Sequence, residues 1–393
     1  MNSSISFSSK VCAFFCAVLF FLSGCTTLEG DKGALYQPAG GMRIAVLPVE
    51  NLTGKAAPLK EIRKVLMEEL RARGIPLLDE TVLENFLAQR RIRHMGGLDP
   101  IAASAFEQEV GVDAVLVTSL EWYDEYAPPK ISLFSRLIST GDNPSVLWMT
   151  GLGAAGDARQ GLLGLGLIED PQRLQSHAVR SLVVSLERFL AGGKARTGRD
   201  GREDAPSPAG KENTGGERAA YGTGRFRPKI SYYSPLPRSG RKYSIAVIPF
   251  SNESERKNAG EIMMLHFVRH LRSVRSFEVI EPGVVRQKLI NMRVVMTAGL
   301  SLADSEVIFD LLGADLILAG KCTEYQDYAG SSGAPRVKYS VLLIEKQSLK
   351  TIGAFHSYND GDEGVFLFDW KKVRTAHELA SGMAGATVEG LSR

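Results

Sequence analysis

Three groupings of residues have the types and spacing that chemistry asks for. Gly151-Leu152-Gly153-Ala154-Ala155-Gly156 spells G-x-G-x-x-G behind a predicted strand. That pattern brings backbone close to a pyrophosphate when its third glycine opens a helix. Here Asp157-Ala158-Arg159-Gln160-Gly161 follows, which does not open a helix. The glycines are therefore expected to form a loop where backbone passes close to other elements. His266 and His270 stand four apart on a predicted helix, the spacing that puts two imidazoles on one face for zinc. The metalloprotease pattern also asks for a glutamate after the first histidine, where Phe267 stands, and no third ligand has a suggestive spacing. Glu121, Asp124 and Glu125, interleaved with Trp122, Tyr123 and Tyr126, could line an acid–base cleft. No partner group for them is visible, and the aromatics read as packing after a strand.

The sequence has no Gly-x-Ser-x-Gly elbow, no Walker loop and no Cys-x-x-Cys. No catalytic residue, cofactor or metal is expected, and the chain does not read as an enzyme. The basic run Arg90-Arg91-Ile92-Arg93-His94 and the arm Arg225–Lys242 read as a solvated helix face and a charged linker. The formal net charge of +3 over 393 residues is too small to argue for nucleic acid.

The elements that must position these residues come twice. Ile44-Ala45-Val46-Leu47-Pro48-Val49-Glu50-Asn51 returns as Ile245-Ala246-Val247-Ile248-Pro249-Phe250-Ser251-Asn252. Each is a β-branched strand stopped by a proline, and Asn51 and Asn252 are expected to stabilise the turn that follows. Each opening is expected to start the central strand of its copy. In the first copy a helix is predicted through Leu59, Ile62, Leu66 and Leu70, stopped by Gly74, with others near 81–93, 99–110 and 171–190 and strands at 75–78, 112–117, 131–139 and 145–150. The second copy repeats the order. Gly111-Val112-Asp113-Ala114 matches Gly313-Ala314-Asp315-Leu316, Tyr123 and Tyr126 match Tyr325 and Tyr328, and Asp157, Gly161 and Leu162 align with Asp360, Gly364 and Val365. The fold class is α/β: two tandem, duplicated mixed-sheet domains of order β-α-β-α-α-β-β-β-α, over 42–190 and 243–393. Between them, residues 191–220 contain no Val, Ile, Leu, Met, Cys or aromatic residue. They are expected to be a disordered linker that leaves the geometry between the copies open. The basic arm up to 242 is expected to lie along the second copy.

At the N-terminus Lys10 precedes the apolar run Val11–Leu22, which is too short for a membrane span and fits a signal peptide over 1–24. Leu22-Ser23-Gly24-Cys25 follows directly. It resembles the bacterial lipobox, in which the chain is cut before the cysteine and its sulfur takes a lipid anchor. Cys25 is thus expected to be the acylated (diacylglyceryl and palmitate) first residue of the mature chain, with 25–41 as a tether. Cys12 and Cys16 leave with the signal. Cys322 remains alone and reads as a small residue at a strand end.

With the lipobox, the repeated I-A-V-[LI]-P-[VF]-x-N opening and the element order, both copies resemble the envelope domain shared by three proteins. These are the curli secretion lipoprotein CsgG, the penicillin-binding-protein activator LpoB and the N-terminal domain of TolB. The resemblance implies a mixed α/β domain that faces the periplasm and works by protein–protein contact, without catalytic residues. Thr26 is not the aspartate that retains many enterobacterial lipoproteins at the inner membrane, so the outer membrane is expected. The reading is a non-enzymatic scaffold or accessory subunit in envelope assembly or secretion. Its partners are the membrane, through the lipid, and envelope proteins, not nucleic acid. One alternative is an oligomeric secretion-channel subunit, for which Ile131–Ser139 is the best membrane-inserting strand. A second is an envelope enzyme or nucleotide binder.

Overall fold

In the computed structural model, residues 41–158, 166–192, 225–234, 236, 242–291, 302–365 and 372–391 are described. Cys25, the signal segment, most of the tether, residues 193–224 of the linker and the Gly161-Leu162 pair lie outside them. Each copy follows the expected order. The first has β1 (Ile44–Val46), β2 (Glu50–Asn51), α1 (Leu59–Ala72), α2 (Glu80–Gln89) and α3 (Pro100–Val110), then β3 (Ala114–Asp124), β4 (Lys130–Ser139), β5 (Val146–Ala155) and α4 (Pro171–Leu190). After β6 (Ile230–Tyr233), the second has β7 (Tyr243–Val247), β8 (Ser251–Asn252), α5 (Ala259–Leu271), β9 (Phe277–Val279), α6 (Pro282–Asn291) and α7 (Leu302–Leu312). It closes with β10 (Leu316–Gln326), β11 (Arg336–Glu345), β12 (Lys350–Asp360) and α8 (Ala376–Leu391). No helix among the described residues is long and apolar enough to cross a membrane.

Local chemistry accounts for the boundaries. Asp99 and Asp170 cap α3 and α4 by accepting from Ala102 N–H and Gln172 N–H, each followed by proline at the first helical position. Gly111 ends α3 in the left-handed conformation, at φ 62°. The two asparagine turns are built alike: Asn51 Nδ2 donates 2.8 Å to Lys55 O and Asn252 Nδ2 donates 2.8 Å to Arg256 O. The Asn side-chain oxygens accept from Thr53 N–H and Ser254 N–H. At 75–78 the expected strand is reduced to one bridge, Ile44 with Leu77, because Pro76 has no N–H to donate.

The sheets are mixed. The first runs β1-β3-β4-β5 with β2 also on β3, and the second runs β6-β12-β11-β10-β7-β9 with β8 on β10. β1 and β7 pair in parallel with β3 and β10, and the rest of each hairpin series is antiparallel. The opening strands are thus not central, contrary to the expectation from sequence. β3 and β10 are, because each receives the proline-stopped strand on one side and a hairpin on the other. The ladders also correct one alignment. Ala155 lies opposite Lys130 and Asp360 opposite Arg336, while Gly156 and Gly361 donate to the equivalent carbonyls of Pro129 and Pro335. Asp157 therefore corresponds to Asp362, two residues beyond the Asp360 match.

Both copies belong to one compact unit, Met42–Arg393. On one face of the first sheet α1 and α4 bury Ile62, Leu66, Leu70, Leu182 and Leu186 against Leu116, Leu133 and Leu137. On the other, α2 and α3 cover Val115 and Val117, while Phe134, Val146 and Met149 join the core of the second copy. That core holds α5 and α8, whose opposite faces pack on Leu316, Leu318, Tyr339 and Leu343 of the second sheet. α5 and α8 thus lie between two sheets. The far face of β11–β12 stays open, with Leu342 and Tyr358 exposed.

Candidate functional site

The residues with chemical potential converge where β3 and β5 of the first copy meet α5, α8 and β10 of the second. The glycine motif lies here, on strand β5 and not in a loop. A Cβ at Gly151 would stand 2.9 Å from His377 and Phe134 side-chain atoms, and one at Gly153 would stand 2.3 Å from Thr375 Oγ1. The expected close approach is present, and it serves helix packing: the missing side chains let the start of α8 settle on the sheet. Gly156 lies in the turn beyond, where Ile168 N–H donates to its carbonyl. Among the described residues, the motif runs on from β5 into a turn and does not open a helix.

Beside them sits a cluster of Glu121, His266, Tyr325 and His377, each at most 4% exposed. His377 Nδ1 is 2.5 Å from Glu121 Oε2, the Tyr325 hydroxyl donates to Glu121 Oε1, and His266 Nε2 lies 3.4 Å from the Tyr325 oxygen. Phe134 packs against both imidazoles, with ring centroids 4.8 Å and 4.7 Å away. His266 Nδ1 and His377 Nε2 are buried with no hydrogen-bond partner among the described residues. Burial, then the charge of His377, holds His266 well below the usual imidazole range. Burial and the neighbouring Glu121 hold the Tyr325 phenol well above its own. Glu121 owes its position to a β-bulge: the β3–β4 register slips between Leu120 and Trp122, and a bulge re-aims the side chain it carries.

His266 and His270, which share helical spacing but are not expected from sequence to bind metal, turn to different partners. His270 turns to Ser381, with Nε2 3.0 Å from Oγ, while His266 turns to Tyr325 and His377. Burial and then Arg269 push His270 down to about 3. Asp124 is spent on structure, accepting from Tyr126 N–H and, across the copies, from Gly330 N–H at 2.9 Å. Cys322 lies inside β10, and burial pushes its thiol up to about 12, so it is an inert core residue. Arg90 pairs with Glu109. In the arm, β6 pairs with β12 and Lys229 Nζ meets Glu363 at 2.8 Å, so residues 225–234 lie along the second copy.

Charged groups ring the cluster and tie the copies together. Lys130 Nζ donates to Tyr328 O at 2.7 Å and stands 3.5 Å from Asp327 Oδ1, both side chains almost fully buried. Arg136 Nε lies 3.7 Å from Glu281 Oε1, and burial raises that carboxyl to about 7 in spite of the arginine. Arg256 donates to the carbonyls of Thr53 and Glu121, and Arg374 pairs with Asp157. Breaking a buried pair costs about 3–5 kcal/mol by stranding its partner, so these contacts select one mutual register. Sequence reasoning missed His377 and the joining of Glu121 to Tyr325. No local signal marked it: Glu121 stands where the second copy has Thr323, but most of that strand differs between the copies, as at Ser119 and Lys321 or Trp122 and Glu324.

No family model matches the chain, and no curated protein matches it. Solved structures with weak likeness include the PelC dodecamer from Paraburkholderia phytofirmans, 14% identical over 42% of this chain and 96% of that one, at a TM-score of 0.29. Lipoprotein GNA1162 from Neisseria meningitidis is 21% identical over 32% of this chain and 89% of its own, at 0.26. The LpoB C-terminal domain from Escherichia coli is 13% identical over 32% and 87%, at 0.22. These values assign no residue of the cluster a role.

Proposed function

We propose that the protein is an envelope lipoprotein held at the outer membrane by acylated Cys25 and facing the periplasm. Its stacked repeats act as a non-enzymatic scaffold or accessory subunit of an envelope assembly or secretion system. The observation that carries this reading is Leu22-Ser23-Gly24-Cys25 directly behind the apolar run Val11–Leu22. The stacked body supports it, since a partner meets a surface of fixed shape. The open face of the second sheet offers such a surface. Exposed Tyr358 lies there beside a groove of 330 Å³ lined by Glu324, Arg336, Lys338, His356 and Asp360. Aromatic and arginine side chains at a rim of charge suit protein contact.

The test is acylation. Wild-type protein is expected to take up labelled palmitate and to sediment with the outer membrane, and Cys25→Ala to take up no label and be released. A Cys25→Ala protein that remains membrane-bound would overturn the anchor. Burial weighs against the channel alternative: nine of the ten residues of β4, which contains the inserting candidate, are buried. Insertion would require dismantling the first sheet.

A further inference from the structure

We propose that Glu121, His266 and His377 form a site for one divalent transition-metal ion, with Zn²⁺ the first candidate and the Tyr325 phenol beside it as fourth donor or hydrogen-bond partner. One donor atom from each of the three residues lies within 4.8 Å of the others. Zinc bonds of about 2.0–2.2 Å place tetrahedral donors roughly 3.3–3.6 Å apart, so an inward movement of about 1 Å closes the set. Two imidazoles and a carboxylate are a donor set of zinc sites. Tyr325 Oη is already bonded to Glu121 and lies 3.4 Å from His266 Nε2.

Three further observations favour a ligand over a merely polar core. First, the four side chains come from four elements and both copies, and three of the four depart from their counterparts. In the register of the asparagine turns His266 stands at the position of Val65, and the strand ladders put His377 at the position of Gln172 and Glu121 at that of Thr323. Only Tyr325 keeps its counterpart, Tyr123. Packing alone would have been served by the apolar residue already present in α1. Second, both copies carry a bulge at this ladder position, which pairs with nothing on the neighbouring strand, and it holds a carboxylate only in the copy where it faces the imidazoles, Thr323 standing there in the other. Third, His266 Nδ1 and His377 Nε2 are buried with no hydrogen-bond partner among the described residues, and Arg256 is directed at the carbonyl oxygens of Thr53 and Glu121 and not at the carboxylate. Buried polar groups left so are costly, and a dication coordinated here offsets the buried carboxylate charge.

The experiment uses the full chain extracted in mild detergent without chelator. Elemental analysis is expected to find one transition-metal ion per chain. After chelation, added Zn²⁺ is expected to raise the melting temperature, and added Co²⁺ to give visible ligand-field absorption. His266→Ala and His377→Ala are expected to lose the metal and the absorption. His270→Ala, one turn further along the same helix, keeps both and controls for helix damage. Because the wild-type measurements need no variant, misfolding of a variant does not blunt the test. Metal-free protein whose melting and spectrum ignore Zn²⁺ and Co²⁺ would overturn the site and leave a hydrogen-bonded cluster only. Retention of full metal content by both His variants would overturn it equally.

Discussion

Single side chains decide how this protein meets acid. His270 titrates near 3 and His94 near 4 in the folded chain, against an ordinary 6.5, the first by burial and Arg269, the second by burial and the charges of Arg286 and Arg136. Below pH 6.5 the unfolded chain binds protons that the folded one refuses. The stability these residues contribute is therefore complete above 6.5 and is lost as the pH falls toward the folded values. For His270, which is only partly buried, the loss is at most about 1.4 kcal/mol per pH unit. Melting temperatures are expected to fall from pH 7.5 to 5, and His270→Gln to flatten that fall. An unchanged slope in the variant would contradict the assignment. At the same scale, the asparagine turns were readable from sequence because Asn51 and Asn252 bond within their own segments. The Glu121 cluster was not, since His377 lies 256 residues away and no local pattern marks it.

Elements show where sequence pattern suffices. α4, at Pro171–Leu190, falls on its expected bounds, since Pro171, the Asp170 cap and the apolar spacing all agree. What covers a face is harder to read. α5 carries Ile262, Met263, Met264, Leu265, Phe267 and Val268, all buried. A helix apolar all round is one packed on both sides, and that was the signal that the copies stack. β5 meets α8 through bare backbone, so Gly153→Val is expected to cost about 1–3 kcal/mol in chemical denaturation by forcing β5 from Thr375 and His377. Gly390→Ala, on α8 with nearest contact at 3.8 Å, is expected to stabilise by roughly 0.4–1 kcal/mol. If Gly153→Val matched wild type, β5 would not be the seat of α8.

At the scale of the whole molecule, duplication produced a stack of unlike ends. The first sheet is closed on both faces, and the second is open on the side that the first uses for contact. The open side is not a copy of the closed one. His356 and Tyr358 stand where the first sheet has Gly151 and Gly153, and Ser340 stands in place of Phe134. A third layer cannot approach that face at the same spacing, so the groove there suits a partner of different shape. Sequence composition left the geometry between copies open because residues 191–220 constrain nothing. The side chains that fix it, Lys130, Arg136, Arg256 and Arg374, have partners in the other copy.

One measurement bears most directly on the claim that the two repeats are a single body. Scanning calorimetry of the full chain carrying Cys25→Ser reports how many cooperative units unfold. One transition is expected, with equal calorimetric and van't Hoff enthalpies, because the core shared by Phe134, α5 and α8 belongs to both copies. Two separate transitions, each with the enthalpy of one copy, would contradict it.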